Sequence, residues 1–131
     1  MNSKDIGERT EGMLLAKFLQ KGWVVLLPFG DNQRYDFVID RGNGFERIQA
    51  KTGRIRAGAI IFNSASSQHH RGNGKRDYRG QCEYFAAYVP AIEKCYMIHV
   101  DMCGRSTVSL RLEPSKNYQE KNIRIAIDYE I

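Results

Sequence analysis

The sequence predicts an α/β domain, with one N-terminal helix followed by a mixed sheet, and three observations predict it. Residues 3–21 carry apolar side chains at helical spacing. From residue 23 onward the apolar residues come in runs of strand length, punctuated by Gly, Pro, Asn and Asp. No internal repeat, low-complexity tract or linker interrupts the chain, so residues 1–131 are read as a single domain, long enough to bury a core.

In the helix, Ser3 is the expected N-cap and Asp5 places a carboxylate where the helix dipole favours it. Ile6, Leu14, Leu15, Phe18 and Leu19 form the expected core stripe, and Gly22 is the expected C-cap. Residues 23–27 are a continuous apolar run, expected as a buried strand and closed by Pro28. Residues 30–32 make a turn, 35–40 a second strand, 41–44 a hairpin turn, 45–51 a third strand and 58–63 a fourth extended piece. Residues 64–81 are polar and Gly-rich and read as a long functional loop. Strands are expected again at 82–89, 94–101 and 106–113, with a last apolar-alternating segment at 122–129.

Composition narrows the function. Apolar residues make up 42% and charged residues 27%, which is ordinary globular composition, and no apolar run approaches a membrane span. The N-terminus lacks the apolar core of a signal peptide, so a cytoplasmic location is expected. Cys82, Cys95 and Cys103 are odd in number and form no Cys-x-x-Cys pair, which argues against a disulfide framework or zinc ribbon and for reduced core thiols. The net charge of +5 favours a polyanionic partner. The charge is concentrated at Lys51, Arg54, Arg56, Arg71, Lys75, Arg76 and Arg79, set against Asp77 alone in residues 51–79.

Three features could carry chemistry. Glu11 lies on or beside the apolar stripe of the helix, where a carboxylate is costly unless something pairs with it, and Glu8 lies one turn earlier on nearly the same side. Asp36 sits in an apolar strand that disfavours Asp. In the next strand, period-two alternation puts Gln49 and Lys51 on one face, with Ile48 and Ala50 on the other. A tight turn joins the two strands, so Asp36, Gln49 and Lys51 can meet at one place. Glu46 is the better metal ligand by chemistry but points the other way.

An acid in a second strand, then a turn, then acid-x-Lys in a third strand resembles the PD-(D/E)XK nuclease superfamily. Gly7-x-x-x-Glu11 resembles the first helix of Holliday-junction resolvases and of the group I intron-associated branch. The runs 30–36 and 48–54, with 84–90, Tyr96, Val100-Asp101 and 110–112, are similar to cyanobacterial intron-encoded homing endonucleases. Tyr35 replaces the Pro of the motif name and Gln49 replaces its second acid, which removes one negative charge from the site. The resemblance implies a restriction-endonuclease-like αβββαβ-type core and a Mg²⁺-dependent endonuclease, with Mn²⁺ as a substitute, acting on double-stranded DNA. It implies Asp36, Gln49, Lys51 and Glu11 as the catalytic set, with Asp36, Gln49, Glu11 and Glu8 as cation ligands. Arg54, Arg56, His69, His70, Arg71, Lys75, Arg76 and Arg79 are the expected DNA contacts.

A homo-oligomer is expected, a tetramer if the intron-associated resemblance holds and a dimer at the least, with its interface at the edges of the strands in 82–113. Two other readings compete: a Holliday-junction resolvase and a non-catalytic nucleic-acid-binding domain. His99, in an apolar strand, reads as a core or interface residue. No Rossmann fingerprint, phosphate loop or Ser-His-Asp pattern occurs, so no nucleotide cofactor is expected.

Overall fold

The helix α1 spans Ser3–Gln20. Its N-cap is Asn2 rather than Ser3: the Asn2 side-chain oxygen accepts from the Asp5 N–H at 2.9 Å. The buried stripe also differs from expectation. Thr10, Leu14 and Phe18 are buried at strict i, i+4, i+8 spacing, whereas Ile6 and Leu19 face solvent. The helix meets the sheet along one narrow line, and residues a quarter-turn off it stay wet. Lys21 caps the C-terminus and Gly22, at φ +78°, turns the chain so that Trp23 stacks back on Phe18.

The structure is a computed structural model that describes residues 1–30, 32–65, 80–113 and 123–131. Among the described residues eight strands follow the helix: β1 (Val24–Leu26), β2 (Phe37–Asp40), β3 (Phe45–Thr52), β4 (Arg54–Arg56), β5 (Ala59–Asn63), β6 (Tyr84–Val89), β7 (Lys94–His99) and β8 (Thr107–Arg111). The first sheet has the order β1-β2-β3-β6-β7, and its β3–β6 pair is parallel while the others are antiparallel. The second is antiparallel, in the order β4-β5-β8. Helix, mixed sheet and small sheet form three layers, a restriction-endonuclease-like fold. Between β3 and β6, where the αβββαβ order expects a helix, the described residues hold β4 and β5.

Two cores lie on opposite faces of the mixed sheet. Leu14, Phe18, Phe37, Ile39, Ile48, Ala86 and Tyr88 pack under the helix. Ile60, Phe62, Phe85, Ala87, Val89, Tyr96, Ile98 and Leu110 pack between the sheets. The interior strand β6 feeds both cores alternately, which is why it reads as an unbroken apolar run. The aromatic residues Phe85, Tyr88 and Tyr96 are therefore core, and β7 is flanked by the C-terminal segment, whose Ile131 N–H reaches the Cys95 carbonyl at 3.0 Å. Of the aromatic residues on the strands where an oligomer interface is expected, these three are buried, while Tyr84 is only partly so.

Other expectations are corrected by position in the sheet. β1 is an edge strand, not a buried one, and exposes Val24 and Leu26. Gly53 ends β3 with its N–H on the Tyr88 carbonyl, in a space where a Cβ would stand 2.9 Å from a Val89 methyl, and the chain crosses into the second sheet as β4. The two-residue turn after β4 has positive φ at both Ala57 and Gly58, a geometry whose usual Asn-Gly signature is missing here. Of the segment expected at 122–129, the described residues 123–129 show a 3₁₀ turn at Ala126–Asp128 and an isolated bridge at Ile125 rather than a strand. Ser64 and Ala65, expected as loop, are buried, and Ser64 Oγ donates to the Gly104 carbonyl. All three cysteines are buried and free. Among the described residues, no helix is long and apolar enough to cross a membrane.

Candidate active site

Asp36 stands where β2 parts from β3, one residue before β2 begins. Its N–H donates to the Ile48 carbonyl, and its Oδ2 accepts from the Ala50 N–H, both at 2.8 Å. The carboxylate takes the place of a β2 carbonyl, so the strands splay without orphaning a buried donor. The splay opens the clefts beside Asp36.

Helix α1 brings Glu11 to the same point. Thr10 Oγ1 and Thr52 Oγ1 lie 2.6 Å apart, which ties the helix to β3 and fixes the rotation that aims Glu11 at Asp36. Burial raises the Glu11 carboxyl above the usual carboxylate range, and the charge of Asp36, a hydrogen bond to it and the charge of Glu8 add to the effect. Asp36 is also raised, chiefly by burial, against the opposing pull of the Ala50 N–H, Glu11 and Lys51. Two carboxyl groups that resist full ionisation together form a site short of positive charge.

Strand β3 supplies the rest. Gln49 is half-buried, and its Nε2 donates to the Ala50 carbonyl at 3.3 Å. Lys51 Nζ stands 5.6 Å from the centre of the Phe85 ring. Burial pushes the Lys51 ammonium down to about 8, with the Arg34 charge adding to the drop and Asp36 resisting it. Glu46, on the opposite parity, is held by Arg41 through a two-pronged ion pair at 2.7 and 2.8 Å. Arg41 is itself stacked over Trp23 and Tyr84.

Two clefts meet at the carboxyl pair. One, of about 360 Å³, is lined by Glu11, Leu27, Pro28, Gly30, Gln33, Tyr35 and Asp36. The other, of about 190 Å³, is lined by Gly7, Thr10, Glu11, Asp36, Gln49, Ala50 and Thr52. Glu8 is exposed and lines neither. Among the described residues, no three of His, Cys, Asp and Glu gather at one place. The available donors are thus two carboxylates, the Gln49 amide oxygen and the Ala50 carbonyl. This oxygen-only set fits a hard divalent cation that keeps part of its water shell.

The structure brings Glu11, Asp36, Gln49 and Lys51 to one region from three separate elements. Arg54 and Arg56 are exposed on β4, just past Lys51 in the chain. His69, His70, Arg71, Lys75, Arg76 and Arg79 lie outside the described residues. His99 is half-buried at the end of β7, where Nδ1 accepts from the Asp101 N–H and the ring meets the Tyr84 ring edge-on. Thr10, Thr52 and Arg34 join the site without having been expected there. Thr10 left a signal, a polar residue four and eight positions before the buried Leu14 and Phe18. Arg34 left none, because its relation to Lys51 exists only across the fold.

A family model described as PD-(D/E)XK endonuclease matches residues 1–131. Among solved structures, a bacterial homing endonuclease, I-Ssp6803I, is similar to the chain with a TM-score of 0.77 and 25% identity, covering 99% of this chain and 89% of that one. Hjc, a Holliday junction resolvase from Archaeoglobus fulgidus, matches at a TM-score of 0.49 and 19% identity over 80% of this chain and 83% of that one. No curated protein matches the chain.

Proposed function

The chain belongs to the PD-(D/E)XK endonuclease family, and on that premise we propose that it is a divalent-metal-dependent, site-specific endonuclease of double-stranded DNA, of the homing type. The observation that carries this reading is the Glu11–Asp36 carboxyl pair, both members raised in pKa, with Gln49 and Lys51 beside it on β3. Similarity in fold to a bacterial homing endonuclease over nearly the whole chain supports the finer assignment.

Asp36, Glu11, the Gln49 amide oxygen and the Ala50 carbonyl would hold Mg²⁺, or Mn²⁺ in its place. Such a cation, when bound, neutralises the scissile phosphate and lowers the pKa of the attacking water. Asp36 is the fixed point, because the Ala50 N–H holds one of its oxygens and so orients the other. Lys51 places a positive charge beside the phosphate as negative charge builds on it. With its pKa near 8 it is also able to pass a proton near neutral pH. Arg54 and Arg56 contact the DNA backbone, and the basic residues of 71–79 extend that contact.

The test is cleavage of a randomised-sequence plasmid library in Mg²⁺, with the cut ends sequenced. The wild-type protein should yield one recurrent target. Asp36→Ala and Lys51→Ala should each lower cleavage by about 10³-fold or more while retaining DNA binding. Wild-type rates from either variant, or cutting confined to four-way junctions, would overturn the assignment.

A further inference from the structure

The connection between β1 and β2 carries a feature that the reaction does not use. Phe29 is 102% exposed and Leu27 is 65% exposed. Scattered exposed apolar residues are ordinary, and position makes these two different. Leu27, Pro28 and Gly30 line the same 360 Å³ cleft as Glu11 and Asp36. Phe29 lies between the lining residues Pro28 and Gly30 in sequence, at the mouth of that cleft, and is fully exposed.

We propose that Phe29, backed by Leu27, is an apolar wedge that enters the DNA between stacked bases beside the scissile phosphate. The inference rests on reading the cleft as the place where DNA is cut. A duplex that brings a phosphate to Asp36 runs several base pairs past it, and the rim at 27–30 meets the neighbouring step. A phosphate offers nothing to an exposed phenyl ring, whereas a base face offers it a stacking surface. The rim is also shaped beforehand. Pro28 fixes its own φ, and Gly30 at φ +88° allows the chain to reverse after Phe29, so little conformational freedom is lost on insertion. Wedges of this kind part a base step and kink the duplex. Pyrimidine–purine steps yield most readily. The wedge therefore makes the enzyme selective at a position where it forms no hydrogen bond to a base.

The experiment compares wild type, Phe29→Ala and Phe29→Trp as full chains. It measures binding to a mixed-sequence duplex across a salt series, cleavage of the randomised plasmid library, and sedimentation. Phe29→Ala should weaken binding and slow cleavage by about fivefold to a hundredfold, and Phe29→Trp should restore both. The log–log salt slope should not change, because an apolar contact releases no counterion. Cut ends from the wild type should be enriched in TA, CA or TG steps beside the break, and Phe29→Ala should lose that enrichment. If the wild type cuts and Phe29→Ala matches it in rate and step preference, the wedge is overturned and the endonuclease reading stands. A change in oligomeric state in Phe29→Ala also overturns it, by assigning the ring to a contact between copies. A wild-type protein that cuts no DNA overturns the endonuclease reading itself.

Discussion

Glu11 and Asp36 are held together by the fold although their charges repel, and each is raised above its ordinary pKa. A carboxyl with a raised pKa in the folded state binds its proton more tightly there than in the unfolded chain. Stability therefore falls as pH rises from the unfolded value through the folded one, and the loss is complete above the folded value. In metal-free buffer Glu11→Gln should be more stable than wild type at pH 7, and the difference should shrink as pH falls through the carboxylate range. Thermal melts across that range check this. Cleavage by the same variant should fall by about 10–100-fold, since a charge proposed to hold the cation is gone. Gln49→Glu makes the opposite change at nearly constant shape. It should lower the Mg²⁺ concentration needed for cleavage and weaken metal-free DNA binding, both readable in one Mg²⁺ titration. Curves superimposable on wild type would show that Gln49 is no ligand.

β3 and β4 are one run of chain broken at Gly53. Lys51 stands on the mixed sheet and Arg54 and Arg56 on the small one, so the crossing at Gly53 leads from the strand of the proposed site into a basic, exposed ribbon. A side chain at 53 would meet Val89 at 2.9 Å, a core residue with no room to yield, so the crossing sets the distance from the site to the ribbon. Replacing Arg54 and Arg56 together with Ser should weaken DNA binding and flatten its salt dependence, by roughly 0.9 in log–log slope for each phosphate that is no longer neutralised. The melting temperature should hardly move, because both side chains are exposed. An unchanged slope would place the DNA elsewhere.

A chain of this length has a radius of gyration of about 14 Å, so one copy covers roughly one turn of DNA, about 10 base pairs. One copy with one site cuts one strand. A double-strand cut at a long target requires two or more copies related by symmetry. Sedimentation of the active protein should therefore give a dimer or tetramer. A monomer that still cuts both strands would contradict this. The contact surface must be other than Phe85, Tyr88 and Tyr96, which fill the cores.

Most of the order of elements was legible because it depends on local periodicity, but the short β4 and the 3₁₀ turn at Ala126–Asp128 were not. The i, i+4 spacing of Leu14 and Phe18 and the alternation of Ile48 with Gln49 are set by backbone geometry, whatever the rest of the chain does. The same alternation separated Glu46 from Gln49 and Lys51, and the structure ties Glu46 to Arg41. The sequence could not say which apolar residues would be covered. β1 looks like a buried strand but is an edge, and β6 looks no more apolar yet lies inside the sheet, because coverage depends on which elements become neighbours. The carboxyl pair has the same origin. Glu11 and Asp36 are far apart in sequence, and only the Thr10–Thr52 tie and the splay of β2 from β3 bring them close enough to shift each other's pKa. That is a through-space effect, falling off with distance in the folded molecule and unrelated to distance along the chain.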